Sequence, residues 1–374
     1  MTNIARVADF INRLKRQLWS RKTQPTGVLI ISAGGLGDTI LFSTVASRFA
    51  EMARPGEKIT VLLRKDSAKT AFCLPSSLSV KTVDFKKFAS VFLYRLGILS
   101  ELYEAHFRLV IHTDFLRHPF LDESMASAAQ TDTVAMIARS WPKYQSQLHR
   151  NRRLYSRLFD SGAERRDKVE RWTDFANWLS GSATPPPLMH LHNLQSRFAP
   201  KLNVGCRREI ILQPFSAVNA KQLNPECFIK LVNALPQDIS FRVTGLASDL
   251  QKDIKYRQLI EKQNVTFDSS TFEDICPRLV SAELVLSVDT AMMHLAVAIG
   301  APTLCLASAA YVGEIIPYAD SIRPKNVSFL FENMDCAGCL GDCVYELDDG
   351  SYPCVASLSP DRVVSAVLKC LKLS

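Results

Sequence analysis

Residues 27–39 read GVLIISAGGLGDT, and this stretch decides the fold. A short apolar run, residues 27–32, ends in a turn that contains three glycines within four positions. Such a run predicts a parallel strand that is buried on both faces. Apolar residues then recur at helical spacing from Ile40 to Phe49, which predicts a helix directly after the turn. A strand, a glycine-rich turn and a helix in this order are typical of an α/β fold.

The same alternation of strands and helices continues along the chain and is interrupted once. Residues 181–200 contain three consecutive prolines after a Gly-Ser segment, which indicates a linker or a domain edge. We therefore predict a helix over residues 1–25 and two α/β domains with parallel sheets, residues 26–195 and 196–374. The further strands predicted are 59–63, 109–111, 210–212, 240–244, 284–288 and 303–306, and the helices between them include 225–234, 272–282 and 292–299.

An amphipathic helix is predicted over residues 4–22. Its apolar residues follow the i, i+3, i+4, i+7 rule, and basic residues surround them. Two interpretations are open: the helix lies on an anionic membrane surface, or it packs as a cap on the domain that follows. The apolar stripe is Val7, Phe10, Ile11, Leu14 and Leu18, and the basic residues are Arg6, Arg13, Lys15, Arg16, Arg21 and Lys22.

Composition and charge limit the classes of protein. The 374 residues are 47% hydrophobic and 22% charged, and no apolar run approaches the ~20 residues of a membrane span. The N-terminus lacks the apolar stretch of a signal peptide, so we expect a cytoplasmic protein. Residues 1–199 carry 29 Lys and Arg against 17 Asp and Glu, whereas residues 200–374 carry 16 against 20. The basic half indicates an anionic partner, or simply a solvated surface. Nucleic acid is disfavoured, because aromatic residues do not alternate with the basic ones.

The glycine-rich turn carries an acid at the start of the predicted helix, Asp38. The turn lacks the G-x-G-x-x-G spacing of a dinucleotide site, and no Gly-Lys-Ser/Thr of a phosphate-binding loop follows it. Asp38 by itself is interpreted either as a catalytic carboxylate or as a helix N-cap.

Two strand-to-helix connections in the second half carry groups suited to phosphate. At 287–295, SVDTAMMHL, Thr290 and the first amides of a helix would bind phosphate, with Asp289 and His294 near the same face. At 212–217, LQPFSA, a loop hydroxyl is followed by Lys221. The alternatives are an N-cap Asp, a core His and a surface Lys.

Taken together, these three connections resemble glycosyltransferase family 9, the lipopolysaccharide heptosyltransferases. The resemblance covers about residues 26–370, and its blocks are Gly37-Asp38; Pro214-Phe215-Ser216 with Lys221 and Pro225; Asp289-Thr290-Ala291 with His294-Leu295-Ala296; and Gly300-Ala301-Pro302.

The resemblance implies a GT-B fold, with an acceptor-binding Rossmann-like domain, a donor-binding one, and sheets facing a cleft between them. It implies inverting transfer of heptose from ADP-heptose to a lipopolysaccharide core acceptor, with Asp38 as general base and a location on the inner face of the inner membrane. No Asp-x-Asp occurs in the sequence, which favours catalysis without a metal cofactor. The donor-binding residues would be Ser216, Lys221, Asp289, Thr290, Ala291, Met292 and His294, and the anionic acceptor would meet Arg64, Lys65, Lys69 and Arg117.

Two departures from the family pattern leave alternatives open. The family has glycine where this chain has Phe215 and Ala291. One alternative is a glycosyltransferase that uses another nucleotide sugar and a protein or capsule acceptor. The other is a non-catalytic homologue that binds nucleotide.

Four of the ten cysteines lie within 19 residues: Cys336, Cys339, Cys343 and Cys354. Four thiolates with glycines between them are a pattern for structural zinc or iron, while free thiols and disulfides remain alternatives. The other six are interpreted as buried small hydrophobic residues: Cys73, Cys206, Cys227, Cys276, Cys305 and Cys370.

Overall fold

The computed structural model describes residues 3–18, 21, 23–199, 208–252 and 254–373. Cys206 of the sequence interpretation lies outside these residues. The chain forms two compact units, residues 1–164 with 169–186, and residues 165–168 with 187–374. The N-terminal helix belongs to the first unit, and the main boundary lies at 186/187 instead of the predicted 195/196.

The first unit is built on a six-stranded parallel sheet in the order β3-β2-β1-β4-β5-β6. Strand β1 is the predicted apolar run. All five of its residues are buried, and it pairs with β2 on one side and β4 on the other. The strands are β1 Val28–Ser32, β2 Ile59–Arg64, β3 Ser79–Val83, β4 Leu109–His112, β5 Asp132–Met136 and β6 Arg157–Phe159.

Helices cover this sheet. Leu29 of β1, Leu62 of β2 and Val110 of β4 share one apolar cluster with Leu99 and Leu102 of helix α5 (Phe92–Glu104). The remaining helices are α1 Asn3–Leu18, α2 Leu36–Ser43, α3 Ala46–Ala50, α4 Phe85–Ser90, α6 Asp122–Ala128, α7 Gln145–Asn151 and α8 Lys168–Ser180, with 3₁₀ helices at Lys65–Cys73, Pro142–Tyr144 and Arg152–Leu154.

Helix α1 packs against α5 through its polar side. Ala8 and Asn12 are fully buried, and Asp9 forms two hydrogen bonds, of 2.7 and 2.8 Å, to the buried guanidinium of Arg95. Lys15 contacts Glu104 at 3.0 Å. The predicted apolar stripe is on the outside, with side chains that are 38–76% exposed. The helix therefore packs on its domain and still presents an apolar face to solvent.

The second unit repeats the strand order around its own six-stranded parallel sheet, β12-β11-β10-β7-β8-β9. The strands are β7 Glu209–Gln213, β8 Ser240–Thr244, β9 Val265–Asp268, β10 Leu284–Val288, β11 Thr303–Leu306 and β12 Val327–Leu330. The helices are α9 His192–Phe198, α10 Pro225–Ala234, α11 Ala247–Lys252, α12 Arg257–Ile260, α13 Cys276–Ser281, α14 Ala291–Ala298, α15 Pro353–Ala356 and α16 Pro360–Leu371, with 3₁₀ helices at Asn219–Lys221, Ile254–Tyr256 and Ala309–Tyr311.

The predicted α/β class with two parallel sheets is confirmed. Among the helices described, none has the length and apolar character that a membrane span requires.

Candidate functional site

The glycine-rich loop holds Asp38 against its own backbone at the start of α2. The carboxylate oxygen Oδ2 accepts a hydrogen bond of 2.8 Å from the backbone N–H of Gly35. A Cβ atom on Gly34 would lie 2.4 Å from the Cβ of Asp38, so glycine at this position is what permits the approach. Asp38 is half-buried and makes the capping contact that its position in the helix predicts.

Neighbouring strands fix this loop from both sides. Ser67, in the 3₁₀ helix after β2, donates a hydrogen bond of 2.8 Å to the carbonyl of Gly34. Asp114, directly beyond β4, accepts a hydrogen bond of 2.7 Å from the backbone N–H of Ala33. Because β2 and β4 flank β1, the carboxylate of Asp38 is held at the carboxyl edge of the sheet, where ligands of α/β proteins bind.

Three of the four residues predicted for the acceptor lie at the end of β2 or just beyond it. The guanidinium of Arg64 is paired with Asp66 through contacts of 2.6 and 3.0 Å. Lys65 and Lys69 are exposed on the 3₁₀ helix. This is the same sheet edge that carries Asp38, so the two ammonium groups remain candidates for an anionic acceptor.

Arg117 does not fit the acceptor-binding prediction. Its side chain is 1% exposed. Its Nε lies 3.0 Å from the buried carboxylate of Glu123, and Nη1 donates a hydrogen bond of 2.6 Å to the carbonyl of Met136. A guanidinium with these partners stabilises the interior and is not available to a ligand.

A buried polar cluster next to the Asp38 loop was not predicted. It consists of His112 at the end of β4, Asp114, and Asp122 at the start of α6. Burial raises the pKa of Asp114 and of Asp122 to about 6 and lowers the pKa of His112 to about 4. The negative charge of Asp38 contributes to the raised pKa of Asp114. The i, i+2 spacing of His112 and Asp114 at a strand end was the available signal in the sequence.

In the second unit, the predicted phosphate-binding turn is the start of α14. The backbone of Thr290 is extended, at φ −146° and ψ 174°, and this residue forms the N-cap. Ala291, which is half-exposed, and Met292, which is buried, occupy the first turn. The amides of a first helical turn have no acceptor within the helix, and the helix dipole adds positive potential, so this turn is suited to a phosphate group.

The structure brings together two predicted donor-binding residues, Lys221 and Asp289. They follow the adjacent strands β7 and β10, and Nζ of Lys221 lies 2.8 Å from Oδ2 of Asp289. Their side chains are only 10% and 6% exposed. The ammonium also lies 3.9 Å from the ring centroid of Tyr311. Lys221 is therefore not the surface lysine of the alternative interpretation, and its charge is paired.

In the loop before Lys221, Phe215 stands where the family has glycine, and its side chain is buried. The ring of Phe215 packs edge-on against Tyr256, with centroids 4.8 Å apart. A Cβ atom on Gly245 would lie 2.5 Å from the Phe215 ring, so this glycine provides the space. Ser216 remains half-exposed, and its Oγ accepts a hydrogen bond of 3.2 Å from the N–H of Val218.

This loop borders a cavity of about 660 Å³. Among the residues that line it are Ser216, Asn219, Gln222, Asp249 and Lys255. The volume falls within the range of small-molecule sites, ~300–1,000 Å³.

His294 is buried within the second unit. Its Nδ1 lies 2.6 Å from the hydroxyl of Tyr318, and the two rings are stacked. These contacts match the alternative interpretation of His294 as a core histidine.

The clustered cysteines lie in the loop after β12 and in α15. Burial raises the pKa of Cys336 and of Cys354, and the neighbouring thiols raise both further. In the described part of the chain, only His112, Asp114 and Asp122 bring three potential ligand atoms within 4.8 Å of one another. The cysteine sulfurs would therefore converge further on binding a metal.

Of the other cysteines, Cys370 is exposed, which contradicts its interpretation as buried. The remaining described ones are buried: Cys73, Cys227, Cys276 and Cys305.

Comparison with known proteins agrees with the fold. The crystal structure of a family 9 glycosyltransferase from Veillonella parvula superposes with a TM-score of 0.67 at 16% identity, over 94% of this chain and 98% of that one. E. coli heptosyltransferase WaaC with ADP-2-deoxy-2-fluoro heptose gives 0.67 at 16% identity, over 91% and 99%. The iron-containing dodecameric glycosyltransferase TibC from enterotoxigenic E. coli gives 0.50 at 15% identity, over 94% and 78%.

No curated protein matches the sequence. The family model of glycosyltransferase family 9 (heptosyltransferase) matches residues 121–337, which is more than half of the chain. This match includes the loop with Lys221, the start of α14 and the first cysteine of the cluster, Cys336. The protein therefore belongs to glycosyltransferase family 9, the heptosyltransferase family, and is a glycosyltransferase of the GT-B fold.

Proposed function

We propose that the protein is an inverting heptosyltransferase that uses ADP-heptose and an anionic sugar of a lipopolysaccharide core as acceptor. The observation that carries the proposal is the carboxylate of Asp38, held at the carboxyl edge of the first sheet by the N–H of Gly35. Lys65 and Lys69 are exposed at the same edge, where they would attract the phosphates and carboxylates of such an acceptor.

In the proposed reaction, Asp38 takes the proton of an acceptor hydroxyl while that oxygen attacks the anomeric carbon. The bond from the anomeric carbon to the diphosphate oxygen breaks, and its electron pair leaves with ADP. The first-turn amides of α14 and the hydroxyl of Thr290 would stabilise the negative charge that develops on the leaving group.

Lys221 would take part by releasing Asp289 and binding the diphosphate of the donor. Its ammonium is paired with Asp289 at 2.8 Å. A diphosphate at the start of α14 would compete with Asp289 for this ammonium. The choice of ADP is supported by the ligand of E. coli WaaC, ADP-2-deoxy-2-fluoro heptose, and by the cavity beside Ser216, whose volume could hold a nucleotide.

Thermal unfolding with and without nucleotides tests the donor. A ligand that binds only the folded protein stabilises it by about 2.7 kcal/mol at 100 times its Kd. We expect ADP to raise the unfolding temperature more than UDP, GDP, CDP or adenosine. Greater stabilisation by another nucleoside diphosphate would support the alternative donor, and no stabilisation by any of them would contradict nucleotide-sugar transfer.

Asp38→Asn tests the base. Asparagine keeps the size of the side chain and can still cap α2, but it cannot take the proton. We expect turnover to fall by ~10²–10⁴ while stabilisation by ADP is unchanged. Asp66→Asn, at the same sheet edge, is the matched control and should retain most of the activity. A loss of ADP binding in Asp38→Asn would make Asp38 a structural cap.

The acceptor is tested by offering lipopolysaccharide core sugars, capsular glycans and proteins to the enzyme with ADP-heptose. Transfer to the core sugars alone supports the proposal, and transfer to a protein or capsule supports the first alternative. ADP binding without transfer to any acceptor supports the non-catalytic homologue.

We also propose that α1 attaches the protein to an anionic membrane surface. Its five apolar side chains face solvent, and the exposed Arg13 lies next to them. This combination suits the headgroup boundary of an anionic bilayer. Deleting the helix would remove Asp9 from the buried Arg95, so the double variant Phe10→Ser/Leu14→Ser is the better test. It should lose sedimentation with anionic vesicles, as should the wild type at high salt. Unchanged sedimentation would rule out this surface.

Finally, we propose that the cysteine cluster holds a structural zinc or iron ion. The thiols of Cys339 and Cys343 add to the raised pKa of Cys336 and of Cys354, so the four side chains are close to one another, and TibC is described as iron-containing. Elemental analysis of protein purified under reducing conditions tests this proposal. Near-stoichiometric metal that is lost in Cys339→Ser supports it, and metal-free wild-type protein contradicts it.

A further inference from the structure

The buried cluster beside the Asp38 loop has the geometry of a metal site. Nε2 of His112 lies 3.6 Å from Oδ2 of Asp114 and 3.5 Å from Oδ2 of Asp122. One ligand atom from each residue lies within 4.8 Å of the other two. The side chain of His112 is fully buried, and those of Asp114 and Asp122 are 11% and 4% exposed.

We infer from the hydrogen bonds around His112 which of its nitrogens carries the proton. The hydroxyl of Tyr155 donates to Oε1 of Glu123 at 3.4 Å, so the phenol oxygen is left to accept from His112. Nδ1 of His112, 3.0 Å from that oxygen, is then the donor. In this arrangement Nε2 carries a lone pair. Nε2 is buried and has no hydrogen-bond partner among the residues that the structure describes. It therefore points at two carboxylates without a proton to share.

A cation would neutralise the charges of the cluster. The guanidinium of Arg117 is committed to Glu123 at 3.0 Å. The carboxylates of Asp114 and Asp122 are oriented by the backbone N–H groups of Ala33 and His118, at 2.7 and 2.8 Å, and these contacts bring no full charge. Two buried carboxylates this close are costly when both are charged, and a divalent ion would neutralise both.

The two distances from Nε2 of His112 to the carboxylates agree with tetrahedral coordination. Metal–nitrogen and metal–oxygen bonds of ~2.0–2.2 Å give ligand-to-ligand distances of roughly 3.3–3.6 Å in a tetrahedron. We propose that His112 Nε2, Asp114 Oδ2 and Asp122 Oδ2 bind a divalent first-row transition metal, with a water molecule in the fourth position. One imidazole and two carboxylates suit Mn²⁺, Fe²⁺ or Zn²⁺, and Tyr155 orients the imidazole as an outer-shell partner does.

Manganese distinguishes this site from the cysteine cluster, because thiolates favour zinc and iron while carboxylates accept Mn²⁺. The experiment titrates MnCl₂ into the chelator-treated full chain and measures free Mn²⁺ by electron paramagnetic resonance. We expect one Mn²⁺ to bind per chain, and Cys339→Ser should bind it equally. Asp122→Asn and His112→Gln should each weaken binding at least tenfold.

Two controls keep the result interpretable. Asp122→Asn preserves the oxygen that accepts from the N–H of His118, and Asp132→Asn changes an exposed carboxylate in the same unit. Circular dichroism of each variant reports whether it is folded. If wild-type protein leaves all Mn²⁺ free, the cluster holds protons only and the proposal fails. Binding that persists in both folded ligand variants would place the metal elsewhere and would also overturn the proposal.

Discussion

The ion pair between Lys221 and Asp289 predicts by how much the unfolding free energy falls when either partner is removed. Both side chains are almost completely buried, so removing one partner leaves an uncompensated charge in the second unit. Lys221→Met keeps most of the length of the side chain and removes its charge. Breaking a buried ion pair in this way costs about 3–5 kcal/mol of unfolding free energy.

Removing the carboxylate instead of the ammonium should lower the unfolding free energy by less. In Asp289→Asn the ammonium loses the carboxylate but keeps the face of the Tyr311 ring at 3.9 Å. A desolvated cation–π contact contributes about 2 kcal/mol, which offsets part of the loss. In the double variant Lys221→Met/Asp289→Asn neither charge remains. We therefore expect it to be more stable than the sum of the single effects predicts, with a coupling of about 2–3 kcal/mol.

The distribution of tryptophan allows the effect to be assigned to one unit. The four tryptophans of the sequence all precede residue 179, in the first unit. Urea unfolding of the second unit should therefore shift in circular dichroism and leave the tryptophan fluorescence transition in place. Joint movement of both transitions would mean that the units unfold together, and the coupling would then be taken from the common transition.

Binding of ADP provides the second measurement. Lys221→Met should weaken ADP binding by about 1.5–3 kcal/mol, the size of a hydrogen bond to a charged group. Asp289→Asn removes the competing carboxylate and should not weaken it. Additive single-variant stabilities would refute the buried pair. Equal loss of ADP and adenosine binding in Lys221→Met would refute the contact with the diphosphate.

Two further predictions follow from other buried contacts. The hydrogen bond and charge of Arg108 lower the pKa of Glu57 to about 2. A carboxyl group whose pKa is lowered in the folded state stabilises the fold at pH values above its ordinary pKa of ~4.3. This stabilisation is lost as the pH falls toward 2. Acid unfolding followed by circular dichroism should therefore depend less on pH between 4 and 2 in Glu57→Gln, and an unchanged pH profile would contradict the assignment. Gly245→Ala would place a Cβ atom 2.5 Å from the Phe215 ring and should lower the unfolding free energy by about 1–3 kcal/mol; Phe215→Leu in the same background should restore part of it, and no restoration would mean that this contact is not the cause.

The centre of each sheet could be predicted from the sequence, whereas the edges could not. The strands β1, β7 and β10 are apolar runs because helices cover both faces. The four edge strands were missed, and so was β5, which lies next to the edge strand β6. β3 reads SVKTV with exposed Val80 and Thr82, and β6 has only three residues. An edge strand needs less apolar surface, so its sequence resembles that of a loop.

Site residues that lie within one local motif were predictable from the sequence. Site residues that the fold brings together from distant positions were not. Asp38 and Thr290 each lie in a strand-to-helix connection, so local sequence placed them. Lys221 and Asp289 are 68 positions apart, and no local pattern pairs them. The orientation of α1 was also not predictable from its periodicity, because the buried guanidinium of Arg95 draws the polar side of the helix inward.

The order of strands has a consequence for synthesis of the protein. Val28 of β1 pairs with Ile59 of β2, 31 positions away, but with Leu109 of β4, 81 positions away. On the ribosome, a half-sheet of β3, β2 and β1 is therefore complete while the other edge of β1 still has no partner. That edge belongs to the apolar run VLIIS, the kind of uncovered strand that recruits other chains. In the second unit, β7 likewise waits for β10, because Ile210 pairs with Leu284, 74 positions away. We expect the nascent chain to be most prone to aggregation during these two intervals.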